Sequence, residues 1–391
     1  MTIIIFGDLF NFPEGHAATN RIYTYAKGLM ENGIRVQVIC FSNDYLPQPD
    51  GVAEGIIYYN AFNRVSRSPS FFARRWHKLR KYFRTYQLIR KIRREDSILA
   101  INRWSDIPFT QFYCWVLSRL FNIKIITECN EHPLRYHQEG AWRKWSGNLR
   151  FRLDAFFSDG ILCISDYLVK FHLDRGIKQQ KLFLLPSTVD PTRFKQIGQR
   201  PVDEFYIGYF GSLTFRRDDI GVLLDAFSIL HKQGKPGRLV LGGFCTDEER
   251  QRIRTRIGEL GITDNVMLVE YLSRNEILRY IGHADILVMV RARDLESDAS
   301  YPSKLTEFLA SGRPVLSVNV GEVSSYLTDA VNAYLVPPGD AAAMAARLIY
   351  MTDHYNEAVE VGKRGKELTD GVFNYNFQAK RLIGYAKSLK S

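Results

Sequence analysis

A short segment near the end of the chain, YPSKLTEFLASG at 301–312, combines residue types that together can bind an anion and a vicinal diol. The Pro-Ser pair at 302–303 is typical of a helix start, with the serine available as its cap, and the apolar run DILVMV at 285–290 predicts a strand before it. Such a helix start attracts anions, because its first backbone N–H groups lack partners and its dipole is positive there. Lys304 adds a charge, and Glu307, one turn later, can accept hydrogen bonds from both vicinal hydroxyls of a ribose. The residues alone fit an ordinary capped helix with a surface glutamate equally well.

The elements that must hold this segment follow from an alternation of apolar strand-like runs with amphipathic helical patterns. The pattern begins at TIIIF, 2–6, and begins again at FYIGYFGSL, 205–213, after the polar stretch QIGQRPVD. It predicts an α/β fold of two doubly wound parallel-sheet domains, with the carboxyl ends of both sheets facing a central, ligand-binding cleft. The predicted parts are an N-terminal domain at 1–200, a C-terminal domain at 204–372 and a helix at 373–391 that returns to the first domain.

The composition suits a folded protein without disulfides or a membrane span. The chain has 391 residues, 46% hydrophobic and 24% charged, which suits two domains. Its five cysteines are scattered and contain no C-x-x-C pair, which favours reduced thiols over a disulfide framework or a zinc site. The apolar start at 3–6 is too short for a signal peptide, and no run approaches the ~20 residues of a spanning helix. We therefore expect a cytoplasmic protein, soluble or attached only at the inner surface of the cell membrane.

Four segments, in order, resemble glycosyltransferase family 4, which has the GT-B fold of two Rossmann-like domains. They are PEGHAATNRIYTYAKGLMENGIRVQVI, CISDYLVKFHLDRGIKQQKLFLLPSTVD, GYFGSLTFRRDDIGVLLDAF, and YPSKLTEFLASGRPVL with ADILVMV before it and AYLVPPGD after it. The resemblance covers nearly the whole chain. It implies transfer of a sugar from a nucleotide diphosphate donor with retention of anomeric configuration, without a metal or other cofactor. The implied acceptor is a hydroxyl of a saccharide or a lipid-linked molecule, in cell-surface polysaccharide or glycolipid synthesis.

The resemblance also implies roles for individual donor-side residues. Glu307 would hold the ribose, and the backbone N–H groups of Ser303, Lys304 and Leu305 would hold the diphosphate. Two glycines belong to the implied loops around the donor, Gly15 in the first domain and Gly211 in the second. Because glycine has no Cβ, the loop at Gly15 could approach the diphosphate closely.

Two features depart from the family pattern. The family usually has basic residues for the leaving diphosphate at the positions of Ser212 and Asp218, and the nearest substitutes here are Arg216 and Arg217, either of which could bind phosphate or simply be solvated. The earlier of the two family glutamates corresponds to Ala299. Three carboxylates lie close to it in sequence and could contact the donor sugar instead: Asp294, Glu296 and Asp298. Their Asp-x-Glu-x-Asp spacing also allows a metal site, which we disfavour because one loop offers no further ligands.

The acceptor-side candidates follow a predicted strand at 124–127. The family often has a His-Asp pair near KIITECNEHPL, and strict register places Asn130 and Glu131 there, with His132 shifted by two positions. His132 fits a catalytic and a structural role equally well. Glu131 and Glu128 are alternatives for binding or deprotonating an acceptor hydroxyl.

The net charge of +11 comes from one segment, because 64–94 contains twelve basic residues and no acidic one. Apolar residues recur there in steps of three and four from 72 to 92, which predicts a helix that packs this stripe on its parent sheet. We expect its charges to face an anionic membrane surface, the alternative being a solvated face; the candidates are Arg74, Arg75, Lys78 and Lys81. No nucleic-acid recognition motif accompanies them, so no nucleic-acid partner is expected.

Two other functions fit the same architecture. A nucleotide-sugar epimerase would act on the donor alone, without an acceptor. A non-catalytic sugar-nucleotide-binding subunit would be consistent with Ala299 and with the missing basic residues at 212 and 218.

Overall fold

The computed structural model describes residues 1–15, 17–134, 141–270 and 272–389, which divide into two compact units. The first contains Met1–Pro186 together with the chain from Tyr375 onward, and the second contains Ser187–Asn374. The first unit therefore ends earlier than the predicted boundary at 200. The reason is that the chain joins the second unit at once, where the Val189 N–H donates to the Phe373 carbonyl at 3.0 Å.

The first unit is built on an eight-stranded sheet, counted over its described residues, with the order β3-β4-β2-β1-β5-β6-β7-β8. Among the described strand pairs of this sheet, only β3–β4 is antiparallel. The strands are β1 Thr2–Gly7, β2 Arg35–Cys40, β3 Asp50–Ala53, β4 Ile56–Asn60, β5 Ile98–Trp104, β6 Lys124–Cys129, β7 Gly160–Cys163 and β8 Leu182–Leu184. The helices are α1 Ala17–Glu31, α2 Phe71–Glu95, α3 Pro108–Phe121, α4 Ala141–Phe156 and α5 Asp166–Leu173.

The second unit contains a fully parallel six-stranded sheet, again counted over described residues, with the order β11-β10-β9-β12-β13-β14. The strands are β9 Tyr206–Phe210, β10 Arg238–Gly242, β11 Val266–Val269, β12 Ile286–Met289, β13 Val315–Val318 and β14 Tyr334–Val336. The helices are α6 Ile220–Lys232, α7 Asp247–Leu260, α8 Arg274–His283, α9 Leu295–Asp298, α10 Ser303–Ser311, α11 Val323–Tyr326, α12 Ala341–Asp353 and α13 Tyr355–Asp370. The strand order reverses between β9 and β12, and such a switch point opens a crevice at the carboxyl ends of the two strands.

The last helix, α14 (Tyr375–Ser388), packs against α1 of the first unit. The close approach depends on Gly28, where a Cβ would lie 2.6 Å from the Tyr375 carbonyl oxygen and 2.8 Å from the Ala379 Cβ. The Tyr375 hydroxyl also donates to the Glu31 carboxylate at 2.9 Å. Within the described residues, none of the helices is both long and apolar enough to cross a membrane.

The basic helix α2 is buried only along part of its length. Ile89 and Ile92 are 1% exposed, whereas four apolar residues earlier in the stripe are largely exposed: Phe72 at 82%, Trp76 at 64%, Leu79 at 63% and Phe83 at 61%. The prediction that the whole stripe packs on the sheet is therefore wrong for its first half. A 25-residue helix is about 37 Å long, whereas the seven-residue strand β5 spans about 23 Å, so α2 extends beyond the strands it could cover.

The four cations assigned to a membrane surface on α2 differ in exposure. Arg75 and Lys78 are exposed, and Arg74 is partly buried and donates to the carbonyls at 68 and 69. Lys81 is buried; its Nζ donates to the Phe41 carbonyl at 2.9 Å and lies 4.1 Å from the Phe41 ring centroid. The prediction that Lys81 faces a membrane is wrong, because this side chain turns inward.

Candidate nucleotide-binding site

The loop after β9, residues 211–219, is organised around a buried acid. The Asp218 carboxylate is 6% exposed and accepts hydrogen bonds from the Tyr209 hydroxyl at 3.0 Å and from Thr214 Oγ1 at 2.9 Å. Tyr209 is the fourth residue of β9, so the strand itself fixes one of the two donors. A carboxylate held in this way needs a nearby cation to remain charged at low cost.

Lys304, in the first turn of α10, supplies that cation. Its Nζ lies 3.2 Å from Asp218 Oδ1 and 2.8 Å from the Tyr209 hydroxyl. Burial lowers the pKa of Lys304 and Asp218 opposes this shift, while a quarter of the side chain remains exposed. Gly211 makes room for the lysine, because a Cβ there would lie 2.0 Å from Nζ. Gly211 thus has a packing reason in addition to the loop role that the resemblance implies.

The N-terminus of α10 has no side-chain cap. Pro302 is the N-cap residue and Ser303 the first helical residue, so the expectation that Ser303 caps the helix is wrong. Leu305 already donates its N–H to the Pro302 carbonyl at 2.9 Å, which takes it out of the predicted anion-binding set. The amides of Ser303 and Lys304 are the ones that the helix start leaves for an anion.

Glu307 lies one helical turn after Ser303 and is partly buried. Burial raises the pKa of its carboxyl, and the cations that oppose this shift are Arg193, Arg274 and Lys304. No hydrogen bond to this carboxylate is found among the described residues. The carboxylate is therefore available to accept hydrogen bonds from a ligand near the anion-attracting end of α10.

The two arginines predicted to substitute for the missing basic residues have different surroundings. Arg216 is exposed. Arg217 is 48% exposed, its guanidinium lies 3.7 Å from the Glu296 carboxylate, and its carbonyl accepts the Ala292 N–H at 3.0 Å. That backbone bond joins the loop after β9 to the loop after β12. Of the two, Arg217 is the one tied to the carboxyl ends of both central strands.

Sequence reasoning missed Arg291, which follows the end of β12 and is partly buried. Its charge interacts with Arg217 and Asp218, and its Nε is buried without a partner among the described residues. The signal that could have identified it was its place directly after the strand DILVMV, at the same sheet edge as the loop after β9.

The acidic residues near Ala299 are engaged locally. Asp294 caps the short helix α9 by accepting the Ser297 N–H at 2.7 Å, and Asp298 lies 3.4 Å from the Arg293 guanidinium. Glu296 faces Arg217, as described above. Across the described ranges, no group of three or more side chains is arranged to hold a metal ion.

In the first unit, His132 and Glu128 are held by protein contacts. The His132 ring is 4% exposed, packs 4.6 Å from the Phe171 ring, and accepts the Leu134 N–H on Nδ1 at 3.1 Å. In a neutral ring the proton is therefore on Nε2. Glu128 forms a buried ion pair with Arg21 at 2.7 Å, and its contact with an acceptor hydroxyl stays a prediction. Glu131 is partly buried.

Gly15 is required by its own loop. A Cβ there would lie 2.1 Å from Thr19 Oγ1 and 2.8 Å from the Asn11 carbonyl oxygen, the acceptor of the Thr19 hydroxyl. The need for glycine at this position thus has a local explanation, and contact with a diphosphate stays a prediction.

Family comparisons cover most of the chain. The profile "Glycosyltransferase Family 4" matches residues 18–193, and the profile "Glycosyl transferases group 1" matches residues 190–368. The chain belongs to glycosyltransferase family 4. The GT-B fold agrees with this family: the Anabaena protein Alr3699/HepE, solved in complex with UDP and glucose, aligns over 99% of both chains with a TM-score of 0.72 at 12% identity. A likeness at that identity shows the fold alone.

Curated relatives align with this chain over part of their length. The amylovoran biosynthesis glycosyltransferase AmsK of Erwinia amylovora is 29% identical over 42% of this chain and 40% of its own. The putative colanic acid biosynthesis glycosyltransferase WcaL of Escherichia coli K12 is 26% identical over 59% of this chain and 57% of its own. The chain thus matches about half the length of these relatives.

Proposed function

We propose that this family 4 glycosyltransferase transfers a sugar from a nucleoside diphosphate donor to a hydroxyl acceptor, with retention of anomeric configuration. The observation that carries the proposal is the arrangement on α10. Lys304 and two amides without helical partners lie in its first turn, and the Glu307 carboxylate, without a hydrogen bond among the described residues, follows one turn later. This combination suits a diphosphate next to a ribose.

On this proposal, the first turn of α10 and Lys304 bind the diphosphate, and Glu307 accepts hydrogen bonds from the ribose hydroxyls. Negative charge grows on the diphosphate as the glycosidic bond breaks, so cations near it stabilise the transition state more than the bound donor. The acceptor hydroxyl attacks the sugar on the same face from which the diphosphate departs. An oxygen of the departing phosphate can take the proton of that hydroxyl. His132 and Glu131 remain predicted acceptor-side residues, and Arg217 a predicted contact of the leaving group.

Binding of nucleoside diphosphates tests the donor site. We expect one of UDP, ADP, GDP, CDP or TDP to raise the melting temperature of the full chain, because a ligand that binds only the folded state stabilises it. Glu307→Ala should weaken that binding about 10- to 100-fold, through loss of charge-assisted hydrogen bonds. Glu248→Ala, an exposed acid at the start of α7, is the matched control and should bind like the wild type. Five unchanged melting temperatures would contradict the proposal.

Product analysis tests the reaction. With the nucleotide sugar whose base binds best, NMR of the glycosylated saccharide should show the anomeric configuration of the donor. An inverted product contradicts the retaining mechanism. Conversion of the nucleotide sugar to an isomer without any acceptor would instead favour an epimerase. The names of AmsK and WcaL support cell-surface polysaccharides as the first acceptors to examine.

We also propose that the protein acts at the cytoplasmic face of a membrane, bound through the outer face of α2. This outer face comprises the exposed apolar residues Phe72, Trp76, Leu79 and Phe83 and the exposed cations Arg75 and Lys78. Large exposed apolar patches mark interaction surfaces, and cations near anionic lipid contribute about 1 kcal/mol each. The absence of acidic residues from 64–94 supports an anionic partner.

Sedimentation with liposomes tests this surface. Vesicles of phosphatidylcholine with phosphatidylglycerol should bind the wild type in a salt-sensitive manner, and pure phosphatidylcholine should bind it weakly. Trp76→Ala with Phe72→Ala should reduce binding, and Arg75→Gln with Lys78→Gln should reduce the salt dependence of the binding. Arg252→Gln on α7, an exposed cation of the second unit, serves as the control. Equal sedimentation with both vesicle types would refute the proposed attraction between the cations of α2 and anionic lipid.

A further inference from the structure

We propose that Arg291 binds the diphosphate of the donor and supplies the positive charge that the family usually places at the positions of Ser212 and Asp218. The inference rests on the proposed function, because it assigns a residue to the same donor site. It differs from the sequence prediction, which placed this role on Arg216 or Arg217.

The first argument is position. Arg291 follows β12, the strand that pairs with β9, so it lies at the carboxyl edge from which the Gly211 loop also starts. The Ala292 N–H donates to the Arg217 carbonyl at 3.0 Å and fixes the two loops to each other. Lys304 reaches the same place from α10 through its contact with Asp218. Three cations from three elements therefore surround one edge of the sheet.

The second argument is that the acids of this edge have partners. Asp218 Oδ1 accepts from Tyr209 and Lys304, and its Oδ2 accepts from Thr214. Asp294 caps α9, and Glu296 lies 3.7 Å from the Arg217 guanidinium. By contrast, the Nε of Arg291 is a buried donor without an acceptor among the described residues. A buried donor without an acceptor is costly, which points to a ligand that supplies one.

The third argument is charge. Burial lowers the pKa of Arg291, and the neighbouring Arg217 lowers it further, while Asp218 opposes the shift. The partly buried Arg291 guanidinium, repelled by Arg217, is stabilised by an anion beside it. A diphosphate fits, because its oxygens accept the parallel N–H bonds of a guanidinium fork. Its charge also rises as the sugar leaves, so Arg291 should affect turnover as well as binding.

The test compares a nucleoside diphosphate with its nucleoside. Calorimetry would use UDP and uridine, or the corresponding pair if another base binds the wild type. Arg291→Gln should weaken diphosphate binding about 10- to 100-fold and leave nucleoside binding unchanged. The diphosphate affinity of Arg291→Lys should lie between those of the wild type and Arg291→Gln, because lysine keeps the charge and lacks the paired N–H donors of a guanidinium. Arg293→Gln, two residues later and 70% exposed, should behave like the wild type.

The outcomes separate this inference from the proposed function. If the wild type binds no nucleoside diphosphate, the proposed function fails and this assignment fails with it. If the wild type binds and Arg291→Gln binds equally well, only the assignment of Arg291 is overturned. Equal loss of nucleoside and diphosphate binding, in both Arg291→Gln and Arg291→Lys, would show a structural role and would also overturn it.

Discussion

Replacing Lys304 by methionine tests the charge arrangement that underlies the candidate site. The substitution keeps most of the apolar stem and removes the cation that lies 3.2 Å from Asp218. It leaves a carboxylate that is 6% exposed with two hydroxyl donors and, among the described residues, no other cation within 4 Å. Breaking a buried pair on one side costs about 3–5 kcal/mol, and because Lys304 is a quarter exposed, we expect about 3 kcal/mol.

Thermal unfolding of the full chain measures this cost. For a unit of this size, 1 kcal/mol corresponds to roughly 2–4 °C, so Lys304→Met should lower the melting temperature of the second unit by about 6–12 °C. The double variant Lys304→Met with Asp218→Asn removes both charges and keeps a polar group beside Tyr209 and Thr214. It should recover most of the loss, because the destabilised species is the unpaired carboxylate rather than the missing lysine.

Two results would refute this reasoning. A loss of less than about 2 °C for Lys304→Met would mean that water or another group already screens Asp218. A double variant as unstable as the single one would mean that the unpaired Asp218 carboxylate is not the source of the loss. Neither variant should bind a nucleoside diphosphate as tightly as the wild type, since both lack the cation of α10.

Two further predictions concern stability. Gly321→Ala should lower the free energy of unfolding by more than about 2 kcal/mol, because glycine there has φ +55° and a Cβ would lie 2.2 and 2.4 Å from two backbone carbonyl oxygens. Gly339→Ala is the control, since this glycine has φ +75° and open space around it, and it should lower the free energy of unfolding by about 1 kcal/mol. Urea titration measures both. Burial lowers the pKa of Lys81 to about 8, so the folded state binds fewer protons than the unfolded state above that pH and stability rises as pH increases. Relative to Lys81→Met, the wild type should gain about 2 kcal/mol of unfolding free energy between pH 8 and pH 10, and parallel pH profiles would contradict this.

The predictable parts of the molecule were those specified locally. The α10 segment and the strand before it were found because a Pro-Ser start, an apolar period and a short apolar run lie within thirty residues. The Lys304–Asp218 pair could not be predicted in this way, because the two residues are 86 positions apart and only the sheet order brings them together. The apolar period of α2 predicted a buried face, which holds for Ile89 and Ile92 near its end. Periodicity does not say how far the covering sheet extends, so the exposure of the first half could not be predicted.

At position 218 this chain has an acid where the family usually has a basic residue. The resemblance expects a cation at this position, and the chain has a buried acid that holds a lysine from another element in place. An acid there would repel a diphosphate if it acted alone, but paired with Lys304 it becomes a support that fixes the direction of the cation. On our proposal, the positive charge has moved from the loop after β9 to α10 and to the end of β12. Asp218→Asn alone should then leave Lys304 charged but less well positioned, and turnover should fall more than nucleotide affinity.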